Sequence, residues 1–485
     1  MRGKRPVRGE HRDLGGSFGR HLADHAGVAP GGPEPWIAGL VLGAMAVLPV
    51  WDLLSRRFGV FRVPGAGQLV QHLTLVITFV GAALAARSGT LLTLSTTALL
   101  PQRFRGATRV LAAAGAAAIC GVLAVASARI VVADRLGGEL VALGIPAWWF
   151  ELVLPAGYAA CGAWLVWRSA PSSAGRALAA GGVLLPVALA LVPGATGPAL
   201  QAALIAAIVI VTLAGLPLFA ALGGLSLVLF WGSGTPLAAV PAETQRLAAN
   251  EMLPAIPLFT LAGHIVAAGG ACRRLMRAFN ALIGWLPGGL AIVATLVFAF
   301  FASFTGGSGV TILSLGGLLL PVLVRSGYPE RFGIGLLTAA GAIGLLFPPS
   351  LPVILYGVRS LTQVNGVRYV ARIDHLFIAG LVPGLFLVAL VAAWGIRQAR
   401  ISNVRRRRCE PREALAAVWD GKWELAIPAL VLVAIFGGFA TLVEAAALTL
   451  VWAVFCECVV YRDLSVRRDL PRITAEGAAL VGSVL

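Results

Sequence analysis

Two stretches of this chain combine apolar surroundings with residues able to do chemistry. The first is Phe301-Ala302-Ser303-Phe304-Thr305-Gly306-Gly307-Ser308-Gly309-Val310-Thr311. The second is Gly341-Ala342-Ile343-Gly344-Leu345-Leu346-Phe347-Pro348-Pro349-Ser350-Leu351-Pro352. Each interrupts a hydrophobic run with helix-breaking glycine or proline and with small hydroxyl side chains. Non-helical backbone survives at membrane depth only inside protein or along a water-filled cavity. Free N–H groups at the start of a half-helix suit an anion, while free carbonyls and hydroxyl oxygens suit a cation. The chemistry on offer is therefore solute and ion binding within a membrane.

The elements that must position these residues are apolar helices. Of 485 residues, 58% are hydrophobic and only 12% charged, and mean hydropathy is +0.88. Apolar stretches near the length of a span recur from Trp36 to the C-terminus, which is the pattern of an all-α polytopic membrane protein in a lipid bilayer. The net charge of +17 would suggest nucleic acid in a soluble protein. Here the cations cluster in short connections, so they read as topogenic charge and no nucleic-acid partner is expected. The six cysteines are scattered and form neither a disulfide framework nor a zinc set. No HExxH, Walker loop or Gly-x-Ser-x-Gly elbow occurs, so neither an enzyme nor an ATP-driven pump is indicated, and no cofactor is implied.

Residues 1–35 read as a disordered cytoplasmic tail without a signal-peptide core. A four-helix block follows at 36–177, with spans expected near 36–54, 69–100, 108–133 and 144–168. Arg103, Arg105 and Arg109, with Arg168 and Arg176, favour both ends of this block in the cytoplasm. A short apolar segment at 178–197 ends in Pro193-Gly194-Ala195-Thr196-Gly197-Pro198 and reads as a joining helix and linker. The remainder, 198–485, is repeatedly cut by Gly and Pro. Its connection 397–422 is strongly basic and reads as cytoplasmic. Cys272 through Phe279 carries basic and apolar residues at helical spacing, fitting either an interfacial amphipathic connector or a simple turn.

From Gly215-Leu216-Pro217 the chain resembles the tripartite ATP-independent periplasmic (TRAP) transporters. The resemblance runs through Ala255-Ile256-Pro257-Leu258-Phe259, Gly269-Gly270, Gly284-Trp285-Leu286-Pro287-Gly288-Gly289, both broken stretches, and Thr441-Leu442-Val443-Glu444-Ala445-Ala446. Order and spacing over this region resemble the large (M-type) permease subunit. The four-span block is similar to the small (Q-type) subunit in size and position, so the chain looks like a natural fusion of the two. The resemblance implies an elevator-type secondary transporter in the bacterial inner membrane, driven by an ion gradient with sodium as coupling ion. It also implies an organic acid substrate delivered by a periplasmic solute-binding protein.

By this resemblance Ser303, Thr305, Gly306, Gly307, Ser308 and Thr311 form the tip of a re-entrant hairpin, with sodium at Ser303, Thr305, Gly306 and Ser308. Gly341, Gly344, Pro348, Pro349 and Ser350 form an unwound helix whose next segment offers N–H groups to a carboxylate. Small residues also serve plain helix packing, which is the competing reading. Glu444, a carboxylate in an apolar span, either braces an unwound segment or neutralises a nearby cation, with a helix-capping or interfacial role as the competing reading. His264 reads as structural. The family's large subunit has two inverted repeats, and this chain matches the first plus the start of a second, so the second is expected beyond Leu485. The alternative to a working permease is a non-transporting scaffold or an inactive fragment of one.

Overall fold

The computed structural model describes residues 34–59, 61, 63–94, 101–138, 140–141, 144–184, 197–306, 309–359, 361–364, 367–370, 372–404 and 410–485. The tail through residue 33, the linker at 185–196 and the arginine run 405–408 lie outside these residues, as do Gly307 and Ser308.

The N-terminal block contains α1 (Glu34–Phe58), α2 (Ala66–Ser88), α3 (Gln102–Gly137), a short α4 (Ala147–Glu151) and α5 (Val153–Ser169). Helices α2 and α3 end on the left-handed glycines Gly89 and Gly138, whose N–H groups return to Ala85 and Asp134. The expected second span is shorter than the sequence suggested, ending at Ser88, and the third is longer. At 36 residues, α3 is about 54 Å long and overreaches a hydrocarbon core of about 30 Å. Helix α6 (Ser173–Gly181) follows, capped by the Ser172 hydroxyl on the Gly175 amide. It covers the start of the expected joining segment, most of which lies outside the described residues.

The second block opens with α7 (Pro198–Leu213), α8 (Leu218–Gly232) and α9 (Ala239–Ala248). Helices α10 (Ala255–Ala268) and α11 (Ala271–Ile283) form one apolar pair bent by 76° at Gly269 and Gly270. The basic stretch after Cys272 is thus a helix rather than a turn, with Leu275 and Ala278 buried and Arg273 and Arg277 exposed. Helices α12 (Gly289–Thr305), α13 (Gly309–Arg325), α14 (Glu330–Gly344) and α15 (Leu351–Arg359) carry the two breaks. A small hairpin of β1 (Leu361–Val364) and β2 (Val367–Val370) leads into α16 (Ile373–Ile401). After it come α17 (Pro411–Asp420), α18 (Lys422–Phe436), α19 (Leu442–Val454) and α20 (Asp469–Val484). A π-helical turn at Phe455–Val460 continues α19.

Among the described residues, six helices are long and apolar enough to cross a membrane, four of them in the first block, and the bent α10–α11 pair makes a seventh. The core is continuous between the blocks: α20 packs on α2 and α1, and α19 on α1 and α10. Glycine permits the closest of these approaches. A Cβ on Gly81 of α2 would overlap the Ala478 carbonyl of α20, and one on Gly482 would overlap the backbone at Ala82.

Candidate functional site

Helices α12 and α13 pack against each other, and α12 is terminated by Gly306. This residue has φ 76° and closes the last turn of α12 by donating its N–H to Ala302 O at 2.9 Å. Only glycine takes this left-handed conformation without steric cost. A Cβ placed on Gly306 would sit 3.1 Å from Leu351 Cδ1. The residue that ends α12 therefore lies against the first residue of α15. Helix α14 ends at Gly344, the chain runs unwound through 345–350, and α15 begins at Leu351. At Gly344 a Cβ would clash with Ala302 and the Ala299 carbonyl, so α14 crosses α12 at backbone contact. The two broken stretches, separate in sequence, form one junction.

The hydroxyls at this junction are buried and oriented. Ser303 and Thr305 are each 3% exposed. Ser303 Oγ donates to Phe300 O at 2.8 Å and Thr305 Oγ1 to Phe301 O at 2.9 Å. Their protons are committed to their own helix, and what they can offer a ligand is oxygen lone pairs, the form a hard cation requires. Thr305 also lies beside Gly263 of α10, where a Cβ would come within 3.0 Å of its methyl group. Ser350 is fully buried and donates to the Leu345 carbonyl across the unwound segment. It stands at the N-cap position of α15, its carbonyl accepting the Ile354 amide at 3.1 Å, while its hydroxyl proton goes to Leu345 O. The amides of Leu351 and Val353 make no hydrogen bond among the described residues. The Pro348–Pro349 bond is cis, Pro349 is buried, and Gly341 is buried in the last turns of α14. Gly307 and Ser308 fall outside the described residues, and of Thr311 only the helical backbone is described.

Glu444 is held elsewhere, by protein groups. It is the third residue of α19 in a capping box: Thr441 N–H donates to Glu444 Oε2 at 2.8 Å, and Glu444 N–H to Thr441 Oγ1 at 3.3 Å. Its other oxygen accepts from Arg56 of α1. The capping role is the one its geometry carries, together with an ion pair to the N-terminal block. His264 Nε2 is buried without a hydrogen-bond partner among the described residues.

The residue reading passed over a buried charged cluster. Arg274 of α11 pairs with Glu424 of α18, with Glu457 of the π-helical turn at 3.0 Å, and with Asp463 at 2.5 Å. Its guanidinium stacks 3.6 Å from the Tyr461 ring centroid, and Tyr461 donates to Glu424 Oε2 at 3.0 Å. The side chains of Glu424 and Glu457 are both 0% exposed. Gly269 and Gly270, at the α10–α11 bend, leave room for the Glu457 and Asp463 carboxylates, which a Cβ at either position would strike. The signal was available: Glu457 is a carboxylate in an apolar helix, just as Glu444 is.

Helical spans, with α12 and α13 packed together against a broken helix, define a polytopic helical membrane protein. The family model described as "Tripartite ATP-independent periplasmic transporter, DctM component" matches residues 204–485. The model described as "Tripartite ATP-independent periplasmic transporters, DctQ component" matches 45–170. The chain belongs to the tripartite ATP-independent periplasmic transporter family, with DctQ-like and DctM-like regions in one polypeptide. It is 34% identical over 238 residues to the C4-dicarboxylate TRAP transporter large permease protein DctM of Rhodobacter capsulatus, covering 48% of this chain and 54% of that protein. It is 37% identical over 215 residues to the isethionate TRAP transporter permease protein DctMQ of Oleidesulfovibrio alaskensis, covering 44% of this chain and 32% of that one. The ectoine TRAP transporter large permease protein TeaC of Halomonas elongata is 30% identical over 270 residues, 54% of this chain and 60% of that protein. The chain spans about half the length of the large-permease relatives it matches.

Proposed function

We propose that this chain is the membrane permease component of a secondary transporter that takes up an organic acid handed over by a periplasmic solute-binding protein. The coupling ion is sodium, and the chain lies in the bacterial inner membrane with its N-terminus in the cytoplasm. The observation that carries this reading is the contact of the Gly306 turn with Leu351, which brings the C-terminal end of one half-helix against the N-terminal end of another. The end of α12 bears the negative pole of its dipole, along with the lone pairs of Ser303 and Thr305, and this suits a cation. The first turn of α15, where the amides of Leu351 and Val353 make no hydrogen bond among the described residues, suits a carboxylate. Gly341 and Gly344 let α14 approach closely enough to hold both, and Pro348, Pro349 and Ser350 fix the unwound segment. Gly307, Ser308 and Thr311 complete the hairpin side in this reading. The organic acid class is supported by the C4-dicarboxylate and the isethionate named for two of the relatives.

The test is uptake of a radiolabelled organic acid into proteoliposomes holding the 485-residue chain, with the binding protein outside. Sodium-gradient-dependent uptake is expected when the binding protein is supplied, and Ser303→Ala and Ser350→Ala should each cut its sodium stimulation several-fold. Uptake indifferent to the sodium gradient, or unchanged in both variants, contradicts the assignment.

A further inference from the structure

The arginines of the DctQ-like region gather at one end of it. Arg168, in the last turn of α5, donates Nη1 to the Arg87 carbonyl at the end of α2. Its guanidinium fills the space over Gly89, where a Cβ would strike it. Arg87 in turn stands 5.3 Å from the Trp164 ring of α5. Arg176 of α6 lies 4.4 Å over the Trp167 ring and donates Nε to Ala170 O at 2.9 Å. A Cβ on Gly175 would come within 3.9 Å of Val110 Cγ2, which sets α6 against the start of α3, where Arg105 and Arg109 are exposed. Carboxylates are sparse here. Asp52, Asp134 and Glu151 lie at the opposite helix ends and Glu139 in the connection between two of them, which leaves Glu34 at the start of α1.

Helix capping accounts for part of this arrangement, since cations at the ends of α2 and α5 complement the helix dipoles. It does not account for the donors left over. A guanidinium carries five N–H donors, and the hydrogen bonds of Arg168 and Arg176 use one each among the described residues. An independent observation is the apolar surface around these cations. Trp167 is 61% exposed, Leu178 71% and Leu111 50%, and the two leucines follow Arg176 and Arg109 at a distance of two residues. Tryptophan at a membrane–water interface sits level with the lipid headgroups, so Arg176, stacked on Trp167, holds its charge at that depth. An exposed leucine near each arginine offers apolar surface to an acyl chain. The other end of the block differs. There Arg135 lies 5.5 Å over Trp148, but directly after Asp134 in the chain, so charge at that end is mixed.

We propose that this end of the DctQ-like region binds the headgroup of an anionic phospholipid, with Arg109, Arg168 and Arg176 on its phosphate and Leu111 and Leu178 beside its acyl chains. Guanidinium suits phosphate because its planar fork meets two oxygens at once. The assignment rests on the membrane location and not on the transport reading. The test uses the delipidated full chain in detergent, titrated with phosphatidylglycerol, phosphatidylcholine or inorganic phosphate and read by native mass spectrometry. Phosphatidylglycerol should bind about tenfold or more tightly than phosphatidylcholine, and this preference should shrink as salt is raised. Arg109→Gln combined with Arg176→Gln should remove most of the preference, whereas Arg109→Lys with Arg176→Lys, which keeps the charge, should retain more of it. Arg129→Gln with Arg135→Gln takes the same charge from the far half of α3 and should leave the preference within about twofold of the parent. Equal binding of the two lipids, equal loss in both glutamine pairs, or no loss in either overturns the site. Inorganic phosphate bound with the same variant sensitivity, without preference between the lipids, assigns the arginines to a free anion and overturns the lipid proposal.

Discussion

At the scale of single residues, Ser350 and Arg274 show how differently two buried polar groups can work. Ser350 bridges the unwound segment to the Leu345 carbonyl, so Ser350→Ala leaves that acceptor unmatched in a place water does not reach. A loss of about 1–3 kcal/mol is expected, read as a lower thermal midpoint in detergent. Arg274 stands among three carboxylates from α18, the π-helical turn and the segment after it. Arg274→Met leaves Glu424 and Glu457 buried and facing each other without a cation. Removing one partner from such a buried set costs about 3–5 kcal/mol, so this variant should be the least stable of those considered. Adding Glu457→Gln to it should recover part of the loss. If thermal denaturation shows Arg274→Met as stable as the parent, the cluster is not holding α11 to α18.

At the scale of elements, the hairpin and the broken helix depend on glycine at two points for two reasons. Gly306 is needed for its conformation, and Gly306→Ala imposes a left-handed backbone on a residue with a Cβ, costing about 1–2 kcal/mol. Gly344 is needed for space, since any side chain there meets the backbone of α12. Gly344→Val should push α14 from α12, cost about 1–3 kcal/mol as overpacking does, and separate Gly306 from Leu351. Disulfide trapping between cysteines placed at Gly306 and Leu351, where a Cβ on Gly306 would lie 3.8 Å from Leu351 Cβ, checks this: crosslinking should be fast in the parent background and slowed by Gly344→Val. The same element scale explains α11. Its basic and apolar periodicity reads plainly as an amphipathic helix, yet the 76° bend before it is set by Gly269 and Gly270 yielding to carboxylates almost two hundred residues further along.

At the scale of the whole molecule, the DctQ-like and DctM-like regions are one packed body. Helix α20 lies against α2 through Gly81 and Gly482, and Arg56 of α1 is paired with Glu444 of α19. The association therefore rests on contact surfaces and not on the linker. With a protease site inserted between residues 185 and 196, the cleaved protein should stay as one particle in size-exclusion chromatography. Gly482→Leu should make the two pieces separate after cleavage, because the added side chain has only backbone to enter. Separation of the cleaved parent protein contradicts this account.

Apolar run lengths and glycine and proline breaks were enough to establish a polytopic helical membrane protein and its breaks near Gly306 and after Gly344, though not that α2 stops at Ser88. These are local properties: a bilayer imposes helix on any apolar run of sufficient length, and glycine and proline act on their own turn of chain. Which breaks meet was not local. Gly306 and Leu351 come together because α12 and α14 cross at small residues, and nothing in the spacing of either stretch records that crossing. The same holds for Glu444 and Glu457, two carboxylates in apolar helices that look alike along the chain. One joins the N-terminal block through Arg56 and the other closes a cluster around Arg274, since a buried charge takes its role from the partner that folding brings to it.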